Sequence, residues 1–215
     1  MSIDRYNYEG NTNIGFYATV TSDQSILPPD FKRSELFEGE QVETFIGRTR
    51  LVGLFTAGNS SSILVPDIIT RVEKKKLDEA EIDYTVIDTT ETAIGNLVLA
   101  NDKGAVISER IEEHREEIEE ALDVEATVIN IAGNPTPGVC GVANNRGAVI
   151  HRDADEETAE KVKEALRVED IDIGTTNMGS PYTGSGAVAT DLQVLVGEET
   201  TGPEIGRLDR TLFEH

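Results

Sequence analysis

Tryptophan is absent, cysteine occurs once and histidine three times in a chain of 215 residues. The lone Cys140 excludes an internal disulfide and fits a reducing compartment. No apolar run approaches the roughly eighteen residues that a membrane-spanning helix needs, so no membrane association is expected. The first ten residues, MSIDRYNYEG, lack the basic and apolar regions of a secretory leader. A soluble, cytoplasmic protein is the expectation. HExxH and paired cysteines are missing, which removes the usual zinc sites. Neither a GxxxxGKS/T string nor a GxGxxG between strand and helix occurs, so no phosphate loop and no cofactor are expected.

Positive charge is scarce. The chain has 19 lysines and arginines against 41 acidic residues, a net charge of −22. Lys74-Lys75-Lys76 is the one basic run and reads as a solvated helix face; Arg48 and Arg50 form a small second pair. Binding phosphate normally requires clustered Lys or Arg, so such a chain repels nucleic acid at low salt. Self-repulsion on this scale weakens the compact state unless salt screens it. At about 1 M ionic strength the Debye length falls to about 3 Å, and the penalty largely vanishes. The composition points to the salt-rich cytosol of a halophilic archaeon.

What the chain does contain is a repeat. Three signals recur in fixed order. A branched residue followed by an acid appears as Ile3-Asp4, Val42-Glu43, Ile82-Asp83, Val124-Glu125 and Val168-Glu169. A glycine opening an apolar strand follows, as Gly15, Gly53, Gly95, Gly141 and Gly186. Then comes a polar turn leading into a second apolar strand, at 21–27, 58–65, 100–107, 143–150 and 189–196. The marker glycines are 38, 42, 46 and 45 residues apart.

Helical spacing follows the second strand. Ile111, Ile118 and Leu122 share one face near 108–122, and Ala159, Val162 and Leu166 another near 155–167, with Asp153 read as its cap. Residues 67–80 read as a helix from Asp67, and Ile205, Leu208 and Leu212 as a shorter fifth version. The segment 30–41 is a degenerate first one. The copies span approximately 11–52, 53–94, 95–139, 140–185 and 186–215, the last completed by residues 1–10, within a single domain. These features predict an α/β fold, a five-bladed β/α propeller with pseudo-five-fold symmetry, closed by the N-terminal strand from Ile3 to Glu9. Each repeat alone leaves an apolar helix face and sheet face uncovered, and only its neighbours bury them.

Catalytic chemistry has one foothold. Ring-shaped β/α proteins of five repeats include guanidine-modifying hydrolases with a cysteine nucleophile, and Cys140 with His151 supplies the residue types. Yet Cys140 sits in GVCGVA at the start of an apolar strand, where a small buried hydrophobe is the usual role. GSPYTGSG (179–186) precedes a strand and reads as a loop. His114 lies on an acidic helix face, without the partners of a metal site.

The repeat order and several local strings resemble the archaeal and eukaryotic initiation factor 6 family. The strings are Ile14-Gly15, Phe37-Glu38-Gly39-Glu40, Gly58-Asn59 with Leu64-Val65-Pro66, Gly95-Asn96-Leu97, Gly147 to His151, and Thr175 to Ser180. The resemblance covers the whole chain and implies a pentein-like ring without enzymatic activity. It further implies a monomer that binds the intersubunit face of the large ribosomal subunit, through ribosomal proteins near the sarcin–ricin loop. That binding prevents premature joining of the small subunit, with a role in late large-subunit maturation. Release depends, in the family, on a Shwachman–Diamond-type protein and a translational GTPase. The binding residues it implies lie where the repeats open on one rim: Gly95 and Asn96 match the family's contact with a ribosomal protein, and Gly53 and Asn59 belong to the neighbouring blade. Two departures stand out: Leu54 and Met178 occupy positions where many relatives carry arginine. The end at His215 implies no eukaryotic-type C-terminal tail. An unspecific assembly scaffold is the reading left if ribosome binding fails.

Overall fold

Each of the five polar turns joins two short antiparallel strands, closed by a backbone bond from the first turn residue to the fourth's carbonyl, as in Asn101 N–H to Gly104 O at 3.1 Å. The computed structural model describes residues 1–213, so the end at His215 lies outside the described residues. The N-terminal strand β1 (Ser2–Tyr6) is followed by β2 (Thr19–Val20), β3 (Gln24–Leu27) and β4 (Glu40–Glu43). The second blade holds α1 (Val52–Phe55), β5 (Ala57–Gly58), β6 (Ile63–Pro66), α2 (Arg71–Glu79) and β7 (Tyr84–Ile87). The third holds α3 (Ile94–Leu97), β8 (Val98–Ala100), β9 (Ala105–Ile107), α4 (Arg115–Leu122) and β10 (Ala126–Val128). The fourth holds α5 (Pro137–Cys140), β11 (Gly141–Ala143), β12 (Gly147–His151), α6 (Glu156–Leu166) and β13 (Asp170–Gly174). The fifth holds α7 (Thr183–Gly186), β14 (Ala187–Ala189), β15 (Gln193–Gly197) and α8 (Gly202–Phe213).

Every sheet has three strands in the same order, with an antiparallel inner pair and a parallel outer strand. β15 takes its outer partner from the other end of the chain: β1 pairs with it in parallel, Ser2 opposite Gln193 and Tyr6 opposite Gly197. The ring is closed by this exchange. The inner strands touch in sequence around an axis, β2 to β5, β8, β11, β14 and back to β2.

Several local expectations are corrected. Of the marker glycines only Gly141 opens a strand, β11; Gly15, Gly53, Gly95 and Gly186 lie within the helical turns that precede the strands. The fourth and fifth equivalents are Gly138 and Gly184, not Gly141 and Gly186. GSPYTGSG is not wholly loop, since its last four residues form α7. The branched–acid pair holds one register before β7, β10 and β13, where Asp83, Glu125 and Glu169 each immediately precede the strand; Ile3-Asp4 and Val42-Glu43 lie inside β1 and β4. α2 starts at Arg71, because Thr70 and Glu73 form a capping box and Pro66 belongs to β6. Asp155, not Asp153, caps α6, accepting from Thr158 N–H at 2.8 Å. α8 is twelve residues, the longest helix described rather than a shortened one.

The apolar core is divided into five clusters, one at each seam between blades. Leu64 of the second blade packs with Ile118 and Leu122 of the third, and Val106 of the third with Val162 and Leu166 of the fourth. Val149 meets Leu208 and Leu212, and Ile26 meets Leu77. Buried pairs four residues apart, Ile118/Leu122, Val162/Leu166 and Leu208/Leu212, are what place these helices there. The first blade has only a short 3-10 turn, Ser34–Leu36, where the others have a helix. Aromatic side chains fill that seam instead: Tyr8, Phe31 and Phe37 are buried against Leu195, with Tyr6 and Tyr17 beside them. Large rings supply the volume that a helix supplies elsewhere.

Candidate docking face

The topology sorts each blade's loops to two ends of the axis. A loop after the outer strand leads into the short helical turn at one end; the inner strand then descends to the polar turn at the other. The crossover helices α2, α4, α6 and α8 start at the first end and finish at the second.

At the first end the axis is ringed by backbone. A Cβ on Gly53 would lie 2.1 Å from the Gly15 carbonyl oxygen, and one on Gly95 1.8 Å from that of Gly53. The same relation runs from Gly138 to Gly95 at 2.1 Å, from Gly184 to Gly138 at 2.0 Å, and from Gly15 to Gly184 at 1.9 Å. No side chain fits at any of these distances, so glycine is needed for the ring to close. Gly53 is buried there, and Gly95 is half-buried at the mouth.

The residues that follow the ring glycines are Phe16, Leu54, Asn96, Val139 and Ser185; the first four are half-buried and Ser185 is buried. Ser185 donates to the Tyr182 carbonyl at 2.8 Å. Asn96 is half-buried and its side-chain amide makes no hydrogen bond among the described residues. A primary amide has two donors and an acceptor to satisfy, so this one is open to water or to a partner.

Asn59 is somewhere else. It lies at the opposite end of β5, in the polar turn, and is 2% exposed. Its amide donates to the Asn101 carbonyl at 3.2 Å and the Leu122 carbonyl at 2.8 Å, while its oxygen accepts from Ser61 and Ser62. The expectation that Asn59 shares one rim with Gly95 and Asn96 is therefore corrected; its side chain is spent on the seam. Asn101 and Asn144 repeat the arrangement toward Leu166 and Leu212.

The loops around the mouth are 7–13, 46–51, 88–93, 130–136 and 175–182. Together they carry three acids (Glu9, Asp88, Glu91) and two bases (Arg48, Arg50), a net −1 that leaves −21 on the rest of the chain. Acidity resumes farther out, at Asp67, Asp153, Asp155, Glu198 and Glu199.

Carboxylates buried behind these loops hold them in place. Glu73 accepts from Gly47 N–H at 3.1 Å, Arg48 N–H at 2.8 Å and Thr70 N–H at 2.8 Å. Glu204 accepts from Thr175 Oγ1 at 2.7 Å, Gly179 N–H at 2.8 Å and Thr201 N–H at 2.7 Å. Burial pushes the Glu204 carboxyl upward, but the donors of Thr201, Thr175 and Gly179 outweigh it and hold the group below its usual range. Neighbouring loops are also tied to each other. Arg50 bridges Glu9 at 2.7 Å and the Tyr8 hydroxyl at 2.9 Å, and Asn177 donates to the Thr12 carbonyl at 2.9 Å.

A model described as the eIF-6 family matches residues 3–211. The chain is 36% identical to a Translation initiation factor 6 of Thermococcus onnurineus, over 99% of this chain and 98% of that one. It is 35% identical to that of Methanocaldococcus jannaschii, over 95% of each. With that of Methanococcus maripaludis it shares 34%, over 95% of this chain and 96% of the other. The chain belongs to the eIF-6 family.

This is a family of translation factors and not of enzymes. Cys140 agrees with that. Its thiol is fully buried in an apolar cluster with Ile150 and Leu166, and burial pushes it up to about 11. A thiol held there is protonated at neutral pH and is no nucleophile. His151 is buried with its ring edge against Tyr182, centroids 5.2 Å apart, and burial lowers its basicity.

Met178 is 73% exposed at φ +59° on the 175–182 loop, and Tyr182 on the same loop is exposed as well; nothing in the sequence marks either as a rim residue. Glu73 was legible as the fourth residue of a Thr-x-x-Glu box at 70–73; Glu204, serving α8, was not marked by any motif.

Proposed function

We propose that the near-neutral rim docks on the intersubunit face of the large ribosomal subunit and so keeps the small subunit from joining. The observation that carries this reading is Asn96: an unpartnered, half-buried amide next to the ring glycine Gly95, among loops that sum to only −1 in a chain at −22. Around it Phe16, Leu54 and Val139 offer half-buried apolar surface, and Met178 stands out from the edge. Central apolar anchors with a few open polar groups are what protein interfaces use. The contacts proposed are the backbone at Gly95 and the side chains of Asn96 and Met178; Gly53 is buried in the ring and Asn59 in a seam, so neither is among them.

The partner surface belongs to ribosomal proteins near the sarcin–ricin loop. Release by a Shwachman–Diamond-type protein with a translational GTPase belongs to the same reading, as do a monomeric state and a salt-rich cytoplasm. The relatives are named Translation initiation factor 6, which supports a role in translation. Sedimentation of the purified protein with isolated subunits tests it. The protein is expected in the large-subunit peak and absent from joined ribosomes; equal recovery with both would overturn the reading.

A further inference from the structure

One stretch across the first two blades runs against the charge of the molecule, although the second blade as a whole (53–94) is net −4. Between Thr44 and Lys76 the chain carries six bases (Arg48, Arg50, Arg71, Lys74, Lys75, Lys76) and two acids (Asp67, Glu73), a net +4. Few of these cations are neutralised nearby. Arg50 is paired with Glu9, and Lys75 with Glu79 at 3.3 Å. Arg48, Arg71, Lys74 and Lys76 have no ion-pair partner among the described residues, and the Glu73 carboxylate is turned inward on the backbone of the 46–49 loop.

Apolar surface coincides with this charge. Phe45, Arg48, Thr70, Val72 and Lys76 line a groove between the 46–49 loop and the start of α2. Val72 is 70% exposed although it lies on a helix whose buried stripe is Glu73 and Leu77. Ile68 is exposed against the Gly47 position of the same loop. Exposed apolar groups that adjoin one another beside cations without ion-pair partners are the kind of surface that a binding partner covers. Through Arg48 the groove runs directly into the rim described above.

We propose that this groove takes an acidic polypeptide segment with an aliphatic anchor, supplied by the partner on which the rim docks. The inference rests on the docking reading and adds the chemistry of the partner. Cations attract the segment, and elsewhere the −22 chain repels it. The anchor covers Val72 and Phe45, a contact that screening by salt leaves intact. Phosphate backbone would use the cations but would leave the aliphatic floor uncovered.

Photo-crosslinking on purified large subunits tests the groove and the rim separately. p-Benzoylphenylalanine is placed at position 72 in one protein and at position 178 in another. The expected result is adducts from both, with the position-72 adduct mapping by mass spectrometry to a ribosomal-protein segment rich in Asp or Glu beside Leu or Ile. An RNA adduct from position 72 would overturn the polypeptide. Adducts from position 178 alone would overturn the groove and leave rim docking standing, and adducts from neither would remove both. An Arg71→Glu/Lys76→Glu protein, which reverses one cation lining the groove and one beside it, is expected to bind large subunits about tenfold more weakly at low salt, with unchanged circular dichroism; unchanged affinity would count against the groove.

Discussion

The side-chain amide of Asn101 donates at 2.9 Å to the carbonyl oxygen of Leu166, the last residue of α6 in the next blade. Its second hydrogen reaches the Asn144 carbonyl at 2.9 Å, and its oxygen accepts from Lys103 and Gly104. One buried amide thus satisfies its own turn, the next turn and a helix end whose carbonyl would otherwise be an orphan. Asn59 and Asn144 do the same for α4 and α8. Thr21 and Thr190 hold the same turn position in the first and fifth blades, where their side chains bond within their own turns and not to the next blade.

Asn101→Ala should therefore cost about 2–4 kcal/mol, because buried groups on both blades lose partners. Denaturant unfolding would measure it. Asn101→Asp keeps the acceptor oxygens but loses the donors, and should be no better. A shift of the midpoint within error would mean that the amide is not holding the seam.

Glycine substitution separates ring closure from turn strain. Gly95→Ala drives a methyl to 1.8 Å from the Gly53 carbonyl and should abolish folding or cost several times more than Gly133→Ala. Gly133 has φ +73° and nothing within 4 Å, so alanine there meets only backbone strain of about 1 kcal/mol. Equal losses in thermal unfolding would contradict the ring.

Glu204 makes the 175–182 loop sensitive to acid. Its folded-state value lies below the ordinary 4.5, so its stabilisation is complete above that pH and is lost as pH falls through the folded value. Protection of the 175–182 amides, taken as their exchange rate against the free-chain rate at each pH, should fall over that window in the native protein. Glu204→Gln should exchange faster at every pH and lose the dependence. A dependence that persists in the variant would place its origin elsewhere.

Salt should stabilise the protein. The charge of −22 repels itself across the ring, and raising KCl from about 0.1 to about 2 M collapses the Debye length to a few ångströms. The thermal midpoint is expected to climb through that range. A flat response would mean that the charges are spaced well enough not to matter.

The ring was legible because its turns are built from a short vocabulary repeated in order, such as ANDKGAVI and ANNRGAVI. The axis was not. Gly138 and Gly141 are both glycine, as are Gly184 and Gly186, and only the backbone shows that Gly138 and Gly184 face their neighbours. Asn59 and Asn96 are likewise the same residue type beside glycine, one a buried strut and one an open amide. Burial separates them, and burial depends on which blade closes over each turn. The aromatic filling of the first seam was invisible for the same reason: Tyr8, Phe31 and Phe37 are scattered in sequence and meet only across the ring closure.

The central claim is that the neutral rim occupies the large subunit. An Asn96→Ala/Met178→Glu protein changes two open side chains and none of the seams, so its unfolding midpoint should match the native protein. Purified large subunits preloaded with each protein are mixed with small subunits, and joined ribosomes are counted on gradients. The native protein should suppress joining, and the double variant should need about tenfold more protein for the same effect. Full suppression by the variant at the native concentration would contradict docking through this face.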